Sequence, residues 1–271
     1  MQLPLSTAIA ARLDILDECG STNTELIARA SAGDSGAWPD FSVIVTANQT
    51  SGRGRLGRVW VAPPGQTLAI SVLLRPRLPA GEPVELSHYA WLPLLAGVAM
   101  TRALTPLIPS HSVALKWPND VQVDGLKVSG LLAELLQGGR AVVMGAGLNL
   151  NIARGDLPTT TSTSLTLNDP IEADVALLAD RALAGYLTEF ARLYGDFLHF
   201  GANADSSGLA EQVTELCSTL GQQVKVELPG GDTLIGTAIG IDGTGRLSVK
   251  RGSDGRVVAV AAGDVTHLRY E

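Results

Sequence analysis

The chain has 271 residues, 45% of them hydrophobic, enough for one large domain or one of ordinary size with a small companion. Its formal net charge of −7 excludes a chain-wide basic field of the kind that gathers nucleic acid. The two cysteines, Cys19 and Cys217, form no C-x-x-C pair, so neither a structural zinc site nor a disulfide framework is expected, and both read as reduced thiols.

The stretch Met1–Gly20 has no basic leader followed by an apolar core, so no secretory signal is expected and the chain reads as cytoplasmic. Ser21–Gly33 reads as a short helix entered through Ser, Thr and Asn caps and left near Gly33. Phe41–Gln49 is β-branched on both faces, the pattern of a central strand. Gln66–Pro76 is a second strand, stopped by its proline. The most apolar run, Tyr89–Met100, is too short to span a bilayer and reads as a buried core helix kinked at Pro93.

Val113–Ile152 reads as a meander of strands turning at Asp124-Gly125 and Gly138-Gly139. Ile171–Gly201 is helical, with Val175, Leu178, Ala182, Gly185 and Tyr186 on one face. Beyond Thr219 the pattern changes to short alternating strands separated by Pro229-Gly230-Gly231, Asp242-Gly243 and Asp254-Gly255. The expected architecture is α/β (α+β): residues 1–218 form a mixed or antiparallel sheet flanked by helices, and residues 219–271 a small SH3-like β-barrel.

Chemistry concentrates in five stretches. Gly52 to Arg58 packs three arginines and three glycines into seven residues, in a chain that is acidic overall. The others are Ser21-Thr22-Asn23, Lys116-Trp117-Pro118-Asn119-Asp120, Lys127 to Glu134, and Gly145 to Asn151. Taken singly each has a plain structural reading: a helix cap, a turn, a strand glycine that permits close packing.

Together the stretches resemble the biotin protein ligases, which carry G-R-G-R-x-G-R, K-W-P-N-D, K-x-x-G-x-L-x-E and G-x-G-x-N-x-N in this order. The resemblance spans nearly the whole chain, including the C-terminal β module. Some members begin with a winged helix-turn-helix that binds an operator; the ligase-like part here starts almost at Met1, so the resemblance implies the enzyme alone and no DNA partner.

The resemblance implies a reaction in two steps. The carboxylate of biotin attacks the α-phosphorus of ATP, which is accompanied by Mg²⁺, giving biotinyl-5′-AMP and pyrophosphate. A lysine of a biotin carboxyl carrier domain of an acyl-CoA carboxylase then attacks the mixed anhydride. No membrane partner and no resident metal are expected.

The first step sets anion against anion, and two unit charges about 4 Å apart repel by about 4 kcal/mol at an effective dielectric near 20. Arg53, Arg55 and Arg58 suit the task of offsetting this, because guanidinium groups stay charged and grip carboxylate or phosphate oxygens in pairs. The glycines between them, Gly54 included, are expected to take positive φ and form an anion-holding nest, in a loop that orders over its ligand.

The resemblance assigns Lys127 to the biotin carboxyl and the phosphate. It assigns Ser21, Thr22, Asn23 and Gln49 to biotin's ureido head and Gly130 to its apolar chain. Trp60, Asn119, Asn149 and Arg269 fall to the adenylate. Asp120 is either a turn cap or the group that receives or orients the incoming amine or helps to place Mg²⁺. His88, His111, His199 and His267 lie outside these motifs. Two alternatives remain at this level: a lipoate or octanoate ligase of the same fold, and a non-enzymatic RNA-binding protein using the Arg-Gly loop.

Overall fold

A computed structural model describes residues 1–32, 36–61, 63–228, 232–261 and 264–267. The expected helix exit at Gly33, the Pro229-Gly230-Gly231 turn and Arg269 lie outside the described residues.

The chain opens with a single helical turn α1 (Pro4–Thr7), strand β1 (Arg12–Leu16), helix α2 (Thr22–Ser31) and strand β2 (Ser42–Thr46). β1 and β2 pair in parallel, as a strand–helix–strand unit requires. β3 (Thr67–Leu74) follows, then helix α3 (Trp91–Leu104), and the meander β4 (Val113–Lys116), β5 (Asp120–Val123), β6 (Leu126–Leu135) and β7 (Val142–Asn149). These strands form one seven-stranded sheet in the order β1-β2-β3-β7-β6-β5-β4, antiparallel apart from its first pair. β2 and β3 are buried along their whole length. The meander turns where the sequence reading puts them: Asp124 and Gly125 have φ of 49° and 82°, Gly138 and Gly139 of 92° and 69°.

Helices α4 (Val175–His199) and α5 (Leu209–Leu216) complete the larger part. α3 and α4 cover one face of the sheet and share its main core with Val43, Val45, Val72, Met144 and Leu148. α2 covers part of the other face, where Leu26 packs with Ile44, Leu73 and Val143. Beyond α2, Trp60 lies over Gly147 and Gly130 on that second face.

Three expectations about helices change. Pro93 is the third residue of α3, where the first-turn N–H groups have no intrahelical acceptor, so it starts the helix instead of kinking it. The helical stretch Leu86–Leu107 runs for 22 residues, long enough to cross a membrane by length and composition, and 72% of its apolar window is buried inside the fold. Burial, not shortness, makes it a core helix. α4 begins at Val175 and not at Ile171, because the Asp174 carboxylate accepts from the Ala176 and Leu177 N–H groups and caps it there. Along α4, Leu178, Ala182 and Tyr186 are buried as expected; the buried Asp180 also ties down the N-terminal turn by accepting from the Leu5 and Ser6 N–H groups.

The C-terminal strands β8 (Gln223–Glu227), β9 (Thr233–Ile241), β10 (Leu247–Arg251), β11 (Val257–Val260) and β12 (Asp264–His267) form a five-stranded antiparallel sheet in the order β11-β10-β9-β8-β12. Its β9–β10 turn reaches the larger sheet through two indoles. Trp91 Nε1 donates to Gly243 O at 3.1 Å, and Trp117 Nε1 to Gly245 O at 3.2 Å. The Trp117 N–H donates to Thr219 Oγ1 at 3.1 Å. Trp117 is 2% exposed, so Trp117→Ala leaves a large cavity at this seam. The expected loss is about 3–5 kcal/mol of stability in urea unfolding, with Trp117→Phe costing clearly less.

Candidate active site

The second face of the sheet, beside α2, is floored by residues that have little or no side chain. Register places Ala69 of β3, Gly147 of β7 and Gly130 of β6 in one row, and Asp120 of β5 extends it. In the next row, Ser71 faces Gly145, which faces Leu132. A methyl group on Gly147 would enter the Trp60 ring, and one on Gly145 would meet the Asn23 amide. The glycines of the G-x-G-x-N-x-N motif are therefore explained by what lies on top of them.

Lys127 reaches this face through an irregularity. β5 and β6 pair Val121 with Ser129 but Gln122 with Lys127, leaving Val128 as an extra residue. Such a bulge shifts the alternation by one, so Lys127 joins the face of Gly130 instead of opposing it. Its backbone then pairs elsewhere: the Lys127 N–H donates to Thr161 O, and the Lys127 carbonyl oxygen accepts from the Thr163 N–H, both at 2.8 Å. The Lys127 ammonium lies 2.7 Å from Asp120 Oδ1 and 5.7 Å from the Trp60 ring centroid.

The arginine loop is a compact hairpin. Arg53 bridges Val59, Gly54 N–H donates to Arg58 O at 2.7 Å, and Trp60 N–H donates to Gly52 O at 3.0 Å. The expected nest of positive-φ glycines is only partly present. The left-handed residues are Leu56 (55°) and Gly57 (76°), whereas Gly54 is extended. Gly52 is needed for space, since a Cβ there would lie 2.5 Å from Trp60 O.

Arg53, Arg55, Arg58 and Lys127 converge with one carboxylate, Asp120, on a cleft of about 150 Å³. An acidic protein thus carries a local excess of positive charge here. At the other end of the cleft, Gln49 Oε1 accepts from Thr22 N–H at 2.9 Å and from its hydroxyl at 3.2 Å. Asn119 accepts from Arg55 at 2.9 Å and donates to Leu131 O at 2.8 Å, so it joins the loop to β6.

Ser21, Thr22, Asn23, Gln49, Gly54, Trp60, Asn119 and Gly130 line this same cleft with the four cations and Asp120. Asn149 does not. It is 2% exposed and donates to Thr163 O at 2.9 Å, behind the segment that holds the Lys127 backbone. The sequence signal for Asn149 was its motif, which cannot distinguish a ligand contact from a support one layer below. Among the described residues no histidine lines the cleft. Cys19, whose thiol is pushed up by burial, holds the loop base through backbone bonds to Asn48 and Thr50. Ser71 and Glu134 are additions: Ser71 donates to Asn23 Oδ1 at 2.6 Å, and Glu134 Oε2 accepts from Asn23 and Arg53. Glu134 lay inside a recognised motif without a role, and Ser71 had no sequence signal.

Residues 20–151 match the Biotin/lipoate A/B protein ligase family, and residues 219–268 match the Biotin protein ligase C terminal domain. The Biotin--[acetyl-CoA-carboxylase] ligase of Mycobacterium tuberculosis is 37% identical over 95% of this chain and 90% of its own. The chain belongs to the biotin protein ligase family. It is a ligase, and its activity is that of a biotin protein ligase. It is also similar to the bifunctional ligase/repressor BirA of Escherichia coli, at 27% identity over 98% of this chain and 78% of that one. The solved biotin protein ligase of Aquifex aeolicus in complex with biotin and ATP superposes with a TM-score of 0.72 at 25% identity, covering 96% of this chain and all of the other.

Trp38, Trp91 and Trp117 are at most 7% exposed, so Trp60 is the tryptophan of this ligase that reports on the cleft. Gly147→Ala should push its indole toward water and shift tryptophan emission to the red. The same substitution in a Trp60→Phe background should leave emission unchanged, and an unshifted spectrum in the single variant would show that the ring does not rest on Gly147.

Proposed function

We propose that this cleft joins biotin to ATP and then passes the biotinyl group to a lysine of a biotin carboxyl carrier domain of an acyl-CoA carboxylase, in the cytoplasm. The observation that carries the reading is the gathering of four cations over a glycine floor, beside a polar end built from Thr22 and Gln49. A side-chain-free floor leaves room for the fused rings and valeryl chain of biotin, and the paired polar groups suit a urea, which is costly to bury unpaired. In this reading residues 1–218 are the catalytic unit, and residues 219–271 a supporting one.

In the first step a biotin carboxylate oxygen attacks the α-phosphorus, the bond to the β-phosphate oxygen breaks, and pyrophosphate leaves. Arg53, Arg55 and Arg58 offset the repulsion of the approaching anions. Lys127 exchanges Asp120 for the incoming carboxylate and places charge where it develops. In this reading Mg²⁺ accompanies ATP as part of the nucleotide substrate. Trp60 is assigned to the adenylate by stacking, with Asn119 beside it through Arg55. Asn149 supports Lys127 from behind and is not assigned a ligand contact.

In the second step the acceptor lysine must first lose a proton. The neutral amine attacks the acyl carbon, the acyl–phosphate oxygen bond breaks, and AMP leaves. With Lys127 turned to the ligand, the Asp120 carboxylate is released to receive or orient that proton. An ordinary lysine has a pKa near 10.4, so generating the amine near neutral pH costs about 4 kcal/mol.

The test is incubation with biotin, MgATP and a carrier domain, scored by the mass of the carrier. Addition of one biotinyl group supports the reading; an unmodified carrier, or equal use of lipoate, counts against it. Lys127→Ala should lower biotin-dependent ATP–pyrophosphate exchange by about a hundredfold or more, with unfolding unchanged. Single-turnover transfer from preformed adenylate should rise by about tenfold per pH unit below the acceptor's pKa, and a flat profile would remove amine deprotonation from that step.

A further inference from the structure

We infer that Glu134 is a positioning residue that couples the head-group end of the cleft to the arginine loop, an inference that rests on the reaction proposed above. One carboxylate oxygen, Oε2, accepts from Asn23 Nδ2 and from an Arg53 terminal nitrogen, each at 2.8 Å. Asn23 lies in the first turn of α2, Arg53 opens the loop hairpin, and Glu134 stands on β6 opposite Val143. Three elements far apart in sequence meet at a single anionic atom.

The Asn23 amide is fixed in one sense by its neighbours. Both of its N–H groups are used, one by Glu134 and one by Leu132 O at 3.2 Å, while its oxygen accepts the Ser71 hydroxyl at 2.6 Å. A flipped amide would set its oxygen against a carbonyl and a carboxylate. Asn23 is 4% exposed, so this polarity is set inside the protein and not by water. Asn23 therefore offers a ligand only the remaining acceptor site on its oxygen, in a direction that Glu134 enforces. The expected contact of Asn23 with the ureido head is then made through this oxygen.

The Arg53 bond acts differently. The side chains of Arg53 and Glu134 are 47% and 23% exposed, so the pair contributes little to folding. What it does is hold Arg53 over the cleft before any substrate arrives. Arg53 has five N–H donors, and the bond to Glu134 uses one of its nitrogens, so an anionic ligand can be gripped by the rest of the fork without releasing the anchor. Glu134 also keeps one unit of negative charge beside the arginines, where it opposes capture of unrelated anions.

Two variants separate the two bonds. Glu134→Gln keeps an acceptor oxygen for Asn23 and removes the ion pair; Glu134→Ala removes both. In biotin-dependent ATP–pyrophosphate exchange, Glu134→Ala should raise the KM for biotin by about tenfold and lower kcat. Glu134→Gln should leave the KM for biotin within about threefold of the parent and lower kcat. Trypsin should cut the ligand-free loop after Arg53, Arg55 or Arg58 several-fold faster in both variants at unchanged Tm. Parental kinetics and parental cleavage in Glu134→Ala overturn the inference, as does an equal fall in affinity for biotin and ATP accompanied by a lower Tm. If the parent itself does not activate biotin, the failure lies with the proposed reaction, and the trypsin comparison still decides whether Glu134 anchors the loop.

Discussion

A β-sheet that receives a ligand on its own face must surrender the side chains there, and this constraint governs the site. Ala69, Gly147 and Gly130 clear one row across three neighbouring strands, and Gly145 clears room for Asn23 in the next. The surrendered side chains are a loss of packing, because each strand glycine removes apolar contact and gains backbone freedom in the unfolded chain. The opposite face compensates: it is sealed by α3 and α4 with a continuous apolar core. One face carries the stability of the sheet, and the other is left free for chemistry.

Charge is arranged with the same economy. The excess of cations in the cleft would repel itself if unpaired, and Lys127, Arg53 and Arg55 each have an anionic or amide-oxygen partner within the protein. Lys127 rests on Asp120, Arg53 on Glu134, and Arg55 on the Asn119 carbonyl oxygen. These pairs are partly exposed, so their net contribution to stability is small. Their geometry matters more. In the proposed reaction each of these cations is held in place before substrate arrives, which lowers the reorganisation needed for electrostatic stabilisation of adenylyl transfer.

Most of the fold and most of the cleft were legible in the sequence because their signals are local. Asp124-Gly125 and Gly138-Gly139 specify turns whatever surrounds them, and the five motifs carry residue types whose chemistry is plain in one dimension. Three features were not legible for a common reason. The Val128 bulge depends on the register between β5 and β6, which no single strand encodes. The left-handed conformation falls on Leu56, a residue with no preference for it, because the surrounding hairpin imposes it. Asn149 and Asn119 share the same residue type and motif character, yet one backs the Lys127 strand and the other faces the cleft, a difference of layer that only three-dimensional pairing decides. The start of α4 was misjudged through a cap that was readable, since Asp174 stands in the sequence as a strong N-cap residue.

The pentapeptide Lys116 to Asp120 shows how the smaller β module bears on the reaction without supplying a residue to it among those described. Its Trp117 points into the seam, where the indole bonds Gly245 of the β9–β10 turn and the backbone N–H bonds Thr219. Two and three residues later, Asn119 holds Arg55 and Asp120 holds Lys127. Between Trp117 and Asn119 stands only Pro118, whose ring fixes its φ. The seam is close-packed, and close-packed contacts shift as units instead of deforming gradually. The module and the cleft thus meet in one short segment, in which the residues that hold Arg55 and Lys127 stand two and three positions beyond the seam.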